Sequence, residues 1–250
     1  MNAVPLAEIF TSFQGEGPLV GVRQVFVRVR GCDLACLYCD TAAAKETSGA
    51  CRIEIAPGSE QFAEQTNPFT ARRVFDDAPA LREPVGGLHS IALTGGEPLL
   101  YPAFVAEMGD LAKEHGVPLF LETAGHRPDA LASVIDRVDL VSMDVKLPST
   151  LARPVDSSLF VRSYEIAGER CVAVKMVLTD AVAAREVSDA CRDLAAVSAA
   201  GPVVLQPVTP VSDGVRPPSP AQLCELFEAA AGHLADVRVI PQCHRLLGVL

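Results

Sequence analysis

Cys32, Cys36 and Cys39 fall within eight residues of the stretch RGCDLACLYCDT at 30–41, and none of the other five cysteines repeats that spacing. Three thiolates on one short loop offer soft ligands to a metal centre. Two chemistries fit. A tetrahedral zinc site would use all three and draw a fourth ligand from a distant part of the chain. A cubane iron–sulfur cluster held by three cysteines keeps its fourth iron open to an outside ligand, which makes it a reactive centre as well as an electron store. Cys51, Cys171, Cys191, Cys224 and Cys243 show no mutual spacing that suggests a second cluster. Cys171 and Cys191 lie in apolar segments and read as core residues, whereas Cys51 lies in an irregular stretch.

Other polar residues sort by position. Apolar, β-branched runs at 25–29, 90–94, 117–122, 139–145, 171–178, 202–206 and 237–240 read as strands. The first leads into Cys32, the second into Thr94-Gly95-Gly96-Glu97-Pro98 and the third into Glu122-Thr123-Ala124-Gly125. The fourth reaches Asp144 and Lys146, the fifth carries Lys175, the sixth ends at Gln206-Pro207, and the last leads to Gln242 and His244. All of these lie toward the C-terminal ends of strands, the edge at which α/β folds bind ligands.

Helical segments must position those strands. Phe104, Met108, Leu111 and Ala112 share one helical face within 103–112. Val187, Ala190, Cys191 and Leu194 stack the same way in 181–199, as do Leu223, Leu226, Phe227 and Ala230 in 221–234. Asn67-Pro68 reads as a helix start with proline at the first helical position. The alternation argues for an α/β fold with parallel strands and right-handed crossovers, in a barrel or a doubly wound sheet. Residues 1–250 read as a single domain, and 42–88, rich in Gly, Pro and charge, as an insertion over one end of the core.

With 21 Lys+Arg against 31 Asp+Glu, the formal charge of -10 opposes long-range attraction to nucleic acid or anionic membrane, so a small molecule is the expected partner. The opening MNAVPLAEIF has neither a basic leader nor an apolar signal core, and no apolar run approaches the roughly 18 residues of a membrane span. The expected location is cytoplasmic, where clustered cysteines read as metal ligands rather than disulfides.

The three-then-two cysteine spacing with Tyr38 before the third, together with Gly95-Gly96-Glu97-Pro98, resembles the radical S-adenosylmethionine (SAM) superfamily. That resemblance favours the cluster over zinc. It implies a 4Fe-4S cluster on Cys32, Cys36 and Cys39, with SAM chelating the open iron and cleaved to a 5'-deoxyadenosyl radical. It also implies a partial (βα)6-type barrel of parallel strands with an extra C-terminal strand. Within the superfamily, residues 8–41 closely resemble the 7-carboxy-7-deazaguanine synthases of queuosine and deazapurine biosynthesis, a tRNA modification pathway. The likeness recurs at TGGEPLL (94–100), LETAG (121–125), SMDVKLPS (142–149), LQP (205–207) and QCHRLLGVL (242–250).

This family is a group of lyases that convert 6-carboxy-5,6,7,8-tetrahydropterin to 7-carboxy-7-deazaguanine with loss of ammonia, using SAM catalytically with a 4Fe-4S cluster and Mg2+. Carried over, Thr41 is the Mg2+ ligand, and Phe13, Gln14, Gly15, Glu16, Arg28, Thr94, His244 and Leu250 meet substrate. SAM falls to Tyr38, Asp40, Gly95, Gly96, Glu97, Glu122, Ser142, Asp144, Lys146, Gln206, Pro207, Val208 and Thr209. The resemblance further implies a homodimer and an electron donor such as flavodoxin or ferredoxin. The chemistry suits the residues: Arg28, flanked by Val27 and Val29 on its strand, has a planar fork that matches a carboxylate, and Gln14 and Glu16 can read a heterocycle edge. Arg30, of the same parity, is expected to pair with an acid. The rival readings are an activase that makes a glycyl radical in a partner protein and, from a different class, a zinc-bearing binding module.

Overall fold

A computed structural model describes residues 2–82, 86–197, 201–210 and 214–250. Each of the seven apolar runs forms a strand: β2 (Arg23–Val29), β5 (Leu88–Gly95), β6 (Leu119–Thr123), β7 (Leu140–Asp144), β8 (Cys171–Leu178), β9 (Val203–Pro207) and β10 (Val237–Val239). Three further strands join them: β1 (Leu6–Phe13), β3 (Cys51–Glu54) and β4 (Phe62–Gln65). All ten share one sheet in the order β10-β9-β8-β7-β6-β5-β2-β1-β3-β4.

The run from β2 through β9 is wholly parallel, and β10 adds to it in parallel beyond β9. This is the expected partial six-stranded barrel with an extra C-terminal strand. The sheet does not close, its two edges being β10 and β4. On the other flank β1 lies antiparallel to β2, β3 parallel to β1, and β4 antiparallel to β3. Part of 42–88 is therefore a hairpin that lengthens the sheet. Residues 83–85 of that stretch lie outside the described residues.

Side chains alternate along each strand, so one sheet face receives Val25, Val27, Val29, Ile91, Leu93, Leu119, Leu121, Val141, Met143, Val174, Met176, Val203 and Leu205, all buried in one core. Helices cover this face: α3 (Pro102–Glu114) buries Phe104, Met108, Leu111 and Ala112, and α6 (Ala184–Ala195) buries Val187, Cys191 and Leu194. Each fully buried aliphatic side chain contributes roughly 1.5–3 kcal/mol of transfer free energy. The helix expected over 181–199 is thus shorter, and 198–199 lie outside the described residues. In α7 (Pro220–Ala231), Leu226 and Ala230 are buried, but Phe227 is 37% exposed and does not join them.

Asn67-Pro68 does not open a helix. The helix α1 (Ala71–Asp77) starts later, because Thr70 is the residue whose hydroxyl accepts the amide of Arg73 at 3.2 Å. Asn67 is engaged elsewhere, exchanging two 2.9 Å hydrogen bonds with the backbone of Leu6. The remaining α-helices among the described residues are α2 (Pro79–Arg82), α4 (Pro128–Val134), α5 (Ser158–Ala167) and α8 (Cys243–Leu247).

Candidate active site

The opposite face of the strands lines the trough of the open barrel. One layer is apolar: Phe10, Phe26, Ala92 and Phe120 pack together, with the Phe10 and Phe26 rings stacked at 5.1 Å. The same faces carry Arg28, Thr94, Glu122, Ser142, Asp144, Lys175 and Gln206, two residues or so further along each strand, into a cavity of about 430 Å³. A cavity of that size suits a small organic ligand.

The cysteine loop follows β2. Its turn begins at Gly31, where φ is +93°, and the Gly31 amide donates to Ala44 O at 2.7 Å. Further along, Leu37 N donates to Thr150 O at 3.0 Å and Ala152 N to Ala35 O at 2.9 Å, which fixes the middle of the loop as a short β-bridge. Cys32, Cys36 and Cys39 all line the cavity as free thiols. Burial pushes the Cys32 and Cys36 thiols above the ordinary cysteine range, so a cation must displace their protons. Among the described residues no three Cys, His, Asp or Glu side chains converge on a single-ion site. Three thiols on one cavity wall supply the one cysteine per iron that a cubane with an open fourth iron requires.

The loop after β5 lies against the cysteine loop. Gly96 N donates to Val29 O at 3.0 Å and Glu97 N to Gly31 O at 2.8 Å. A Cβ on Gly96 would stand 1.8 Å from Gly31 O, so only glycine permits this approach. Glu97 is fully buried, and its carboxylate accepts from Leu99 N, Thr123 Oγ1 and Ala124 N at 2.8–2.9 Å. Its side chain ties loops together and does not line the cavity.

A chain of charges runs across the cavity and returns to the cysteine loop. Tyr38 OH accepts from Lys146 Nζ at 3.0 Å, and Lys146 pairs with Asp144 at 2.6 Å. Asp144 lies 3.4 Å from Lys175, which contacts Glu16. Gln242 Nε2 then donates to Glu16 Oε1 at 2.8 Å and to Asp40 Oδ2 at 3.1 Å. Burial alone would raise the Glu16 pKa, but the Lys175 ammonium outweighs it and holds the carboxyl down at about 2. Burial works against the charged forms of Lys175 and Lys146 too, yet Glu16 and Asp144 keep both pKa values above the ordinary lysine range.

Arg28 pairs through Nε with Glu8 Oε1 at 2.9 Å, and its terminal amines carry no hydrogen bond among the described residues. Both amide hydrogens of Gln14 are taken, by Gln24 Oε1 and Glu122 Oε1 at 2.9 Å, and its oxygen accepts the Glu16 amide at 3.0 Å. The chain's last segment seats against this loop: Cys243 N donates to Gly15 O at 2.8 Å, and Ser12 Oγ donates to Leu250 O at 2.8 Å. A Cβ on Gly15 would meet His244 Nδ1 at 2.2 Å.

The radical SAM superfamily model matches residues 26–165, which include the cysteine loop and the Gly-Gly-Glu-Pro loop. The 7-carboxy-7-deazaguanine synthase of Geobacter sulfurreducens is 40% identical over 248 residues, covering 98% of this chain and 97% of that protein. The protein of the same name from Methanothermobacter thermautotrophicus is 33% identical over 269 residues, with 98% and 97% covered. The chain belongs to the 7-carboxy-7-deazaguanine synthase family. Its fold matches the crystal structure of QueE from Escherichia coli with a TM-score of 0.62 at 19% identity, over 97% of this chain and 95% of that one.

Membership of this radical SAM family implies a 4Fe-4S cluster and SAM. Of the residues assigned by resemblance, only Glu97 and Pro207 stay off the cavity wall; the others line it. Arg30 departs from expectation, since its guanidinium donates to the carbonyls of Leu6, Ala43 and Ala50 at 3.0–3.1 Å rather than to an acid. Lys175 and Gln242 were visible at strand ends, but their roles as bridges were not. Glu8, Phe10 and Lys45 also line the wall unassigned. The alternation of Glu8 and Phe10 in LAEIFTSF was the available signal for the first two.

Proposed function

We propose that the protein converts 6-carboxy-5,6,7,8-tetrahydropterin to 7-carboxy-7-deazaguanine with release of ammonia, using SAM catalytically. The observation that carries this reading is one cavity that joins the three-cysteine loop to Arg28 and to the ionised Glu16. When bound, the cluster and SAM together supply a hydrogen-abstracting radical. The terminal amines of Arg28 offer a two-pronged cation to the substrate carboxylate. Glu16 offers acceptor oxygens to the donor edge of the heterocycle, and Gln14 fixes the backbone of that loop. Thr94 pairs with Arg28 across the neighbouring strand and lines the same wall.

Thr41, whose hydroxyl is 3.8 Å from Cys39 Sγ, would offer one oxygen to Mg2+, a hard cation that also takes oxygens from substrate and water. On the SAM side, Asp144 Oδ1 and Gln206 Oε1 are buried acceptors without a hydrogen bond among the described residues, suited to ammonium or hydroxyl donors. The reading extends to a homodimer reduced by flavodoxin or ferredoxin in the cytoplasm. No helix among the described residues is long and apolar enough to cross a membrane.

The deciding experiment is anaerobic incubation of the reconstituted protein with the pterin, SAM, Mg2+ and dithionite, followed by product analysis. Formation of the deazaguanine with ammonia, and SAM recovered intact, is expected. SAM cleavage without any change in the pterin would point to another radical substrate, such as a glycyl-radical partner. Binding of zinc with neither iron nor sulfide would remove the enzyme assignment.

A further inference from the structure

Lys175, on β8, stands between two carboxylates from different parts of the cavity. Its ammonium contacts Glu16, from the loop after β1, and lies 3.4 Å from Asp144 at the end of β7. Asp144 has a second cation, Lys146 at 2.6 Å. Glu16 has no such reserve: among the described residues its other side-chain partner is the neutral Gln242 amide at 2.8 Å. The titratable groups around the pair are the His244 imidazole near Glu16, Glu122 and Lys146 near Lys175, and Asp40, which shares the Gln242 amide. Burial lowers the His244 pKa, so it is a poor substitute cation.

We propose that Lys175 is a positioning residue that keeps Glu16 a permanent hydrogen-bond acceptor, and so makes this wall select heterocycles that present N–H donors. This rests on the reading that Glu16 meets the substrate's donor edge. A buried carboxylate without a cation takes up a proton and becomes a donor itself, which would then favour an acceptor edge. With Lys175 in contact, Glu16 stays ionised down to about pH 2. Lys175 thus acts through Glu16.

The test is calorimetric binding of the carboxy-tetrahydropterin to the anaerobic holoenzyme with SAM and Mg2+ but no reductant, so that no turnover occurs. Between about pH 8.5 and about pH 6 the wild-type Kd should change by no more than about twofold, a baseline that also absorbs titration of the ligand. Over the same range Lys175→Met should lose about tenfold in affinity or more as Glu16 protonates. Lys175→Arg should restore the flat profile, and Glu16→Gln combined with Lys175→Met should abolish the slope. Should the methionine variant not fold, Lys175→Gln carries the same expectation. A Lys175 variant whose Kd runs parallel to the wild type, at equal or uniformly weaker affinity, overturns the inference alone. No pterin binding by the wild type overturns the functional reading and the inference with it.

Discussion

Nε2 of His126 lies 2.9 Å from Oδ1 of Asp33, the residue directly after the first cysteine of the motif. Arg127 Nη2 takes the other carboxylate oxygen at 2.7 Å. Both side chains follow β6, and Thr123 and Ala124 at its end hold Glu97. One loop therefore supports the cysteine loop and the Gly-Gly-Glu-Pro turn at once, and sets their separation.

That support predicts the behaviour of Asp33→Ala. The variant should fold and accept a cluster, yet release its iron to a chelator roughly 10-fold faster or more, the usual cost of removing an outer-shell partner. Iron release at the wild-type rate would show that the tie does not hold the loop.

Cys36→Ala should leave the far-ultraviolet circular dichroism unchanged and abolish reductive SAM cleavage, because the cluster loses one of its three protein ligands. Quantifying 5'-deoxyadenosine under dithionite checks this. Wild-type amounts would end the assignment of Cys36.

Gly96→Ala should destabilise the fold by about 3 kcal/mol or more, since backbone must move to relieve a 1.8 Å overlap with Gly31 O. Gly86, with nothing within 4 Å of a built Cβ, is the control, and its alanine variant should unfold within about 2 °C of the wild type. Thermal melts of the two variants decide the matter, and equal Tm values would contradict the close approach.

Arg28→Ala should weaken pterin binding by roughly 1.5–3 kcal/mol, the loss of a charge-assisted hydrogen bond. Glu8→Gln should have a smaller effect in the same direction, because Glu8 aims the guanidinium and does not face the ligand's carboxylate. Titration calorimetry with each variant separates the two, and unchanged affinity in Arg28→Ala removes it from the site.

The Glu16–Lys175 pair also ties stability to acid. Glu16 has a depressed pKa, about 2 against an ordinary value of 4.5, so its contribution is complete above 4.5 and fades as pH falls toward 2. The linkage is on the order of 3 kcal/mol. Urea unfolding across that window should be steeper in pH for the wild type than for Glu16→Gln. Superimposable slopes would show that another group governs the acid limb.

The parallel half of the fold was legible because its strands are apolar on both faces, a pattern that few other elements share. β1 was obscured by Glu8 and Ser12, polar residues that point into the trough and read locally as motif rather than strand. β3 and β4 are four residues each, with exposed polar positions, too short for alternation to register. At the site, the cysteines and the glycine pair could be found from spacing, since their chemistry depends on near neighbours in the chain. The bridge from Gln242 to Glu16 and Asp40 joins residues 226 and 202 positions apart, a separation that no local pattern encodes.

That long-range bridge gives the cavity a place in the order of synthesis. Gln242 and Cys243 leave the ribosome after every other strand and helix but α8. Until they emerge, the nascent protein presents Glu16 and the cysteine loop without their final fastener. The wall of the trough is therefore completed only when residues more than 200 positions apart meet, so it forms with the tertiary fold rather than within any local segment.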